Sequence, residues 1–268
     1  MENGEEWGIT AEQLFLPAIR ESERRETFEQ LLAAAEDAGI PVSYIKCGDE
    51  IRDSQLRLLC LHPEENTTLA DANAYSECFY VEVFAKKMKQ EAIDDRKAND
   101  ASGASAIGKI SILLTGDVEG EGERQLTQKL QALQESQSLQ ESRSLQESRL
   151  LQESQSLQES QSLQESQSLQ TTRRLQEQRG QREFRVDILK VAHHGSGYST
   201  GTEFLTTASP ATAIISCGRN NSYGHPHVET LQRLEDARVP WYGTMDYGAL
   251  TVNVDSHGNR LRGYLRRK

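Results

Sequence analysis

Short apolar runs, each closed by polar or turn-forming residues, dominate the first eighty positions. Residues 12–16, 42–47, 56–61 and 78–84 read as strands. Positions 22–38 follow a different period. Phe28, Leu31, Leu32 and Ala35 fall on one helical face there, and Gly39 supplies the stop. Further along, Ile110 to Leu114 and the run Asp187-Ile188-Leu189-Lys190-Val191-Ala192 are apolar stretches suited to buried strands, the second placed over 186–192. A helix over 202–208, a strand over 212–217, a helix over 227–237 and a hairpin turning at Ser256-His257-Gly258-Asn259 complete a β/α succession. Strands alternating with helices and ending in a hairpin predict an α/β fold, the later part of an αββα sandwich.

Two stretches break this pattern. Residues 86–108 are charged or small and read as a loop between strands. Residues 123–180 carry a low-complexity repeat of Leu-Gln-Glu-Ser-Gln-Ser units, with leucines at 133, 139, 145, 151, 157, 163, 169 and 175. Six residues advance a helix by about 600°, so successive leucines point in three directions about 120° apart. Neither a coiled-coil seam nor a buried face results. Leu, Gln and Glu favour a helix and Ser weakens it, so the expectation is a solvated, fraying helix or disorder. The chain therefore divides into residues 1–122 and 181–268, two parts of one domain, and the insertion 123–180.

Composition narrows the picture further. With the repeat set aside, 268 residues leave one modest domain. No run reaches the roughly 20 apolar residues that span a bilayer, and the acidic, polar start is not a signal peptide. A cytoplasmic location follows for a chain of this kind. Cys47, Cys60, Cys78 and Cys217 are widely spaced, which argues against a zinc knuckle or a redox dithiol and for buried reduced thiols. The formal net charge is −11, but unevenly spread: residues 1–122 carry 12 basic and 25 acidic side chains, and residues 181–268 carry 11 and 8. Only the last third could face a polyanion without help from cations, although its closing arginines read equally as a solvated basic tail.

The candidate chemistry sits where apolar runs end. Leu113-Leu114-Thr115-Gly116-Asp117 delivers a carboxylate after a glycine, and the second run closes on His193-His194-Gly195-Ser196. These are oxygen and nitrogen donors of the kind zinc or manganese takes. Asp117 could instead be a turn or capping aspartate. Asn221 and His225 lie in the Gly- and Asn-rich stretch Cys217-Gly218-Arg219-Asn220-Asn221-Ser222-Tyr223-Gly224-His225-Pro226, suited to presenting an amide and an imidazole to a phosphate or leaving group. Ser196 lacks a nucleophile elbow and reads as a hydrogen-bonding residue. Lys190 faces either the site or solvent. His62, His227 and His257 carry no assigned chemistry.

Three ordered motifs, LLTGD, LKVAHHGS and ISCGRNNSYGHP, make the chain similar to the C-terminal metallo-β-lactamase-like domain of ComEC-family DNA-internalisation proteins. The resemblance implies two divalent ions, zinc or manganese, bridged by a carboxylate at Asp117 and ligated by His193 or His194. It implies catalytic support from His225, Asn221 and Ser196, and hydrolysis of phosphodiester bonds in single-stranded DNA during natural transformation. The family's principal His-x-His-x-Asp-His cluster is absent: the six histidines are His62, His193, His194, His225, His227 and His257. That cluster is expected before residue 1, so the chain reads as the later part of the domain, inactive alone. Its expected partners are DNA, the missing N-terminal half of the domain and a membrane-spanning competence channel, which would make it membrane-associated within a full protein. The alternatives are a non-catalytic truncated or degenerate domain, and a small-molecule metallo-hydrolase of the same fold.

Overall fold

The computed structural model describes residues 11–84, 109–158, 184–255 and 258–265. The expected loop over 86–108, the later repeats and the tip of the closing hairpin at Ser256-His257 lie outside the described residues.

A seven-stranded mixed sheet organises the fold, in the order β3-β4-β5-β6-β7-β8-β9. β3 (Glu50–Arg52), β4 (Leu56–His62), β5 (Cys78–Phe84) and β6 (Lys109–Leu114) pair antiparallel. From β6 onward the pairing is parallel, through β7 (Ile188–Lys190) and β8 (Thr212–Ile215) to β9 (Trp241–Gly243). β1 (Leu14–Pro17) and β2 (Val42–Ile45) form a separate parallel pair, and β10 (Leu250–Asp255) and β11 (Gly258–Gly263) form the closing hairpin. The helices are α1 (Glu26–Asp37), α2 (Gly120–Gln158), α3 (Thr202–Ala208), α4 (Val228–Asp236) and the single turn α5 (Thr244–Tyr247). The protein is thus a mixed α/β fold around a central sheet, in keeping with an αββα sandwich.

Core burial follows the apolar runs. Leu113, Leu189, Ala213 and Ile215 on β6, β7 and β8 are fully buried, and each large side chain removed from water there contributes roughly 1.5–3 kcal/mol. The β6–β7 register is pinned at its start by Asp187, whose carboxylate accepts the Ser111 backbone N–H and hydroxyl, both at 2.9 Å. Across β4, β5 and β6, Glu82 is buried between Arg57, at 2.8 Å, and Lys109. Burial alone would raise its carboxyl, but hydrogen bonds from Lys109 and Arg57 bring it below the usual range.

Two short strands escape the hydrophobic pattern. β3 and β9 are three residues each and stand at the two edges of the sheet. The β3 segment Glu50-Ile51-Arg52 carries one apolar side chain between charges, a common way of blunting an edge. The strand expected over 186–192 ends at Lys190, because the chain turns at once into a 3-10 segment, Ala192–Gly195.

The chain divides into two compact units, Met1–Thr127 with Val186–Lys268, and Gln128–Arg185. Helix α2 begins in the first and continues into the second. Leu126 and Leu130 are fully buried, whereas Leu139, in the six-residue register, is 61% exposed. Leu126 and Leu130 keep the i, i+4 spacing of one helical face, and the repeat that follows abandons it. Within the second unit Phe184 donates its backbone N–H to Gln137 Oε1 at 2.6 Å. None of the four cysteines forms a disulfide, and burial pushes the Cys60 thiol up to about 12.

Candidate functional site

The parallel strands deliver their chemistry at their C-terminal ends, where open α/β sheets place ligands. Asp117 follows β6, His193 and His194 follow β7, and the 217–225 loop follows β8. The sharp exit from β6 depends on Gly116, at φ 52°, where a Cβ would stand 2.9 Å from Ser76 Cβ. Ser76 in turn receives the Asp117 backbone N–H on its hydroxyl at 3.0 Å.

His193 and His194 both adopt left-handed backbone conformations, with φ of 44° and 56°. Such a conformation costs an L-residue roughly 1–2 kcal/mol each, so the surroundings must impose it. They do so from several sides. The His193 N–H donates to Gly116 O at 3.1 Å, the Ser196 N–H returns to His193 O at 2.8 Å, and Gly195 lies under Pro226, where a Cβ would approach to 2.7 Å. Consecutive strained residues in a supporting frame are typical of functional positions.

The imidazoles are oriented as well as placed. His193 Nδ1 lies 2.9 Å from Glu119 Oε2, and Asn73 Nδ2 donates to Glu119 Oε1 at 3.0 Å. His194 Nδ1 lies 2.6 Å from Ser216 O, which fixes the proton on Nδ1 and leaves the Nε2 lone pair open, 3.7 Å from Asp117 Oδ1. Histidines whose Nδ1 is held by a carboxylate or carbonyl are set up to ligate through Nε2. His225 completes the cluster, its ring centroid 5.6 Å from that of His193 and 6.3 Å from that of His194. Burial first, then the neighbouring histidines, lowers its pKa from the usual value.

The other expected residues play different parts. Asn221 spends its whole side chain on the loop: Nδ2 donates to Gly218 O and His225 O at 2.9 and 2.6 Å, and Oδ1 accepts the His225 N–H at 3.0 Å. It positions His225. Ser196 is buried, and its hydroxyl accepts the Tyr198 N–H at 3.3 Å, inside the turn. Lys190 faces the site, donating to Gly116 O at 2.7 Å with Asp117 Oδ1 3.8 Å away. Burial lowers its pKa and Asp117 opposes that shift.

Sequence reasoning missed four supports. Glu119 and Asn73 hold His193. His227 bridges two loops, accepting the Gly197 N–H on Nδ1 at 2.9 Å and donating from Nε2 to Tyr223 O at 3.1 Å. Glu123, from the first turn of α2, receives the backbone N–H groups of Thr200 and Gly201 ahead of α3. None of the four carries a local signal, because each meets its partner far along the chain.

Among the described residues no group of three or more His, Cys, Asp or Glu converges closely enough to hold an ion. Asp117 and His194 fit two positions of such a centre, and a closed zinc site takes four.

The fold and this cluster define an α/β protein with acid and histidine side chains at the C-terminal ends of its parallel strands. Its relatives say more. The chain is 26% identical over 224 residues, 82% of its length, to ComE operon protein 3 of Bacillus subtilis (strain 168). It is 38% identical over 69 residues, 26% of its length, to Recombination protein 2 of Haemophilus influenzae (strain ATCC 51907 / DSM 11121 / KW20 / Rd). Both matches agree with the resemblance to the ComEC family. The chain spans 19% of the first relative and 9% of the second. No family model matches it, and no helix among the described residues is long and apolar enough to cross a membrane.

Proposed function

We propose that the chain is the later part of a metallo-β-lactamase-like domain that hydrolyses DNA phosphodiester bonds during uptake. The observation that supports this most is the convergence of Asp117, His193, His194 and His225 at one sheet edge, with both Nδ1 atoms of the paired histidines held by oxygen acceptors. Asp117 and His194 would hold a zinc or manganese ion, which would supply an activated water and neutralise phosphate charge. The remaining donors would come from the rest of the assembled domain.

The chain's own residues do the positioning. Lys190 places its ammonium 3.8 Å from Asp117 Oδ1. His225 makes no ring hydrogen bond among the described residues, so its imidazole is available for proton transfer at the site. Asn221 and His227 hold the loop that carries it. DNA and a membrane-spanning channel are the partners this role requires. A second reading, a non-catalytic domain, draws on the lack of a third converging donor.

Joining the chain, in trans or by fusion, to a His-x-His-x-Asp-His-bearing half should give manganese- or zinc-dependent DNA cleavage. Asp117→Ala should lower the rate by orders of magnitude, and His225→Ala should cost less. A metal-loaded assembly that does not cleave DNA, or that ignores Asp117→Ala and both His193→Ala and His194→Ala, would establish the non-catalytic reading instead.

A further inference from the structure

The histidine cluster opens on one side into a cavity of about 700 Å³ lined in part by His194, Arg219, Tyr223, His225, Met245 and Leu265. Its size lies within the range of small-molecule sites, roughly 300–1,000 Å³. Its surfaces fall into two kinds. Met245, Ala249 and Leu265 provide apolar walls, while His194, His225 and Arg219 provide imidazole and guanidinium groups.

Tyr223 is the unusual member. It is 78% exposed, yet its ring is stacked on His225 with centroids 5.8 Å apart and planes 24° from parallel. The His227 bond to its carbonyl fixes the backbone from which it projects. Arg219 gives Nε and Nη2 to Met245 O at 3.0 and 2.8 Å, so the guanidinium is locked beside the cavity. A large aromatic ring held in water and backed by a second ring gains nothing from folding. It is, however, what a flat π-system from outside would stack on.

We propose that this cavity holds one unstacked base of single-stranded DNA, stacked on Tyr223, with its phosphate toward His194 and His225. The proposal rests on the phosphodiesterase reading and adds the contact by which the site holds a base. Charge complementarity favours the occupant, since the described lining carries the Arg219 guanidinium and two imidazoles and no carboxylate. A paired base cannot enter such a recess without first leaving its helix, at a cost of a few kcal/mol, so duplex is disfavoured.

The test is fluorescence anisotropy with a fluorescein-labelled eight-nucleotide DNA strand, in low-salt buffer containing a chelator. Binding is then read without metal and without cleavage. Tyr223→Ala should weaken binding roughly 5- to 150-fold, the range for losing one base stack. Tyr223→Phe should restore it, and Ala249→Trp, which fills the recess, should weaken it while the thermal midpoint holds. The same strand annealed into duplex should bind more weakly than when single. Equal binding by wild type and Tyr223→Ala, equal binding of duplex and single strand, or binding of deoxythymidine monophosphate as tight as the strand would each overturn the proposal. Stack-dependent binding by a chain whose reconstituted assembly never cleaves would sink the phosphodiesterase reading and leave the base site standing.

Discussion

Glu77 should make this protein less stable as pH rises through the neutral range. The residue immediately precedes β5, its Oε1 is buried, and no hydrogen-bond partner meets that atom among the described residues. Burial raises its carboxyl from 4.5 to about 7. Below pH 4.5 the group is protonated whether the chain is folded or not, so it contributes no difference. As pH climbs, the unfolded chain ionises first and the folded chain holds its proton until about 7, so folding loses free energy across that window. At about 1.4 kcal/mol per pKa unit, a shift of this size corresponds to at most about 3.5 kcal/mol. Because the residue is only partly buried, solvent screening reduces this to about 1–2 kcal/mol. Glu77→Gln keeps the shape and cannot ionise. Urea unfolding of both proteins from pH 4 to pH 8 should show a stability gap near zero at the acid end, growing to about 1–2 kcal/mol in favour of the glutamine variant at pH 8. A gap that is flat with pH, or that favours wild type at pH 8, would refute the reasoning and show that Glu77 has a charged partner.

Three further outcomes follow from the supports of the site. Glu123→Ala should cost about 2–4 kcal/mol in urea unfolding, because the Thr200 and Gly201 N–H groups lose a charged acceptor in a part-buried setting. Replacing residues 140–182 with a short Gly/Ser linker should move the thermal midpoint by no more than a degree or two, since loop-closure cost varies slowly with length; extending the deletion back through Leu130 and Leu126 should cost several kcal/mol. His194→Gly should be more stable than His194→Ala by about 1 kcal/mol, as both lose the Ser216 contact but only glycine is at ease at φ 56°; a more stable alanine variant would mean the turn relaxes once the imidazole is gone.

What the sequence revealed and what it concealed divide along a physical line. Buried strands announce themselves by apolar runs, and β4, β5, β6 and β8 lie within a residue or two of where the pattern puts them. Edge strands do not, and β3 and β9 went unseen. Asp117, His193 and His194 were legible because each motif is contiguous and ends an apolar run. Their supports were hidden by distance along the chain: Glu119 meets His193 across 74 residues, and Glu123 meets Thr200 across 77. Asn221 and Ser196 were recognised as members of the loops, but a short polar side chain that turns back on its own backbone cannot be told from one that faces a ligand until the loop geometry is known.

The start of α2 carries a consequence for the repeat. Glu119 and Glu123 stand four residues apart, and Leu126 and Leu130 continue the buried face one turn and two turns later. Glu119, just ahead of α2, therefore anchors His193, Glu123 in its first turn anchors Thr200 and Gly201, and the turns that follow bury apolar surface. A chain can expand beyond such an anchor at little cost, because loop length enters stability only logarithmically, but it cannot expand before it without moving Glu119 and Glu123 away from the residues they hold. The leucine register shifts to every sixth residue only after Leu133, beyond Glu119, Glu123 and the buried pair Leu126 and Leu130. The insertion of a low-complexity tract at this point of the sequence, rather than between β6 and α2, is what the geometry of the histidine turn requires.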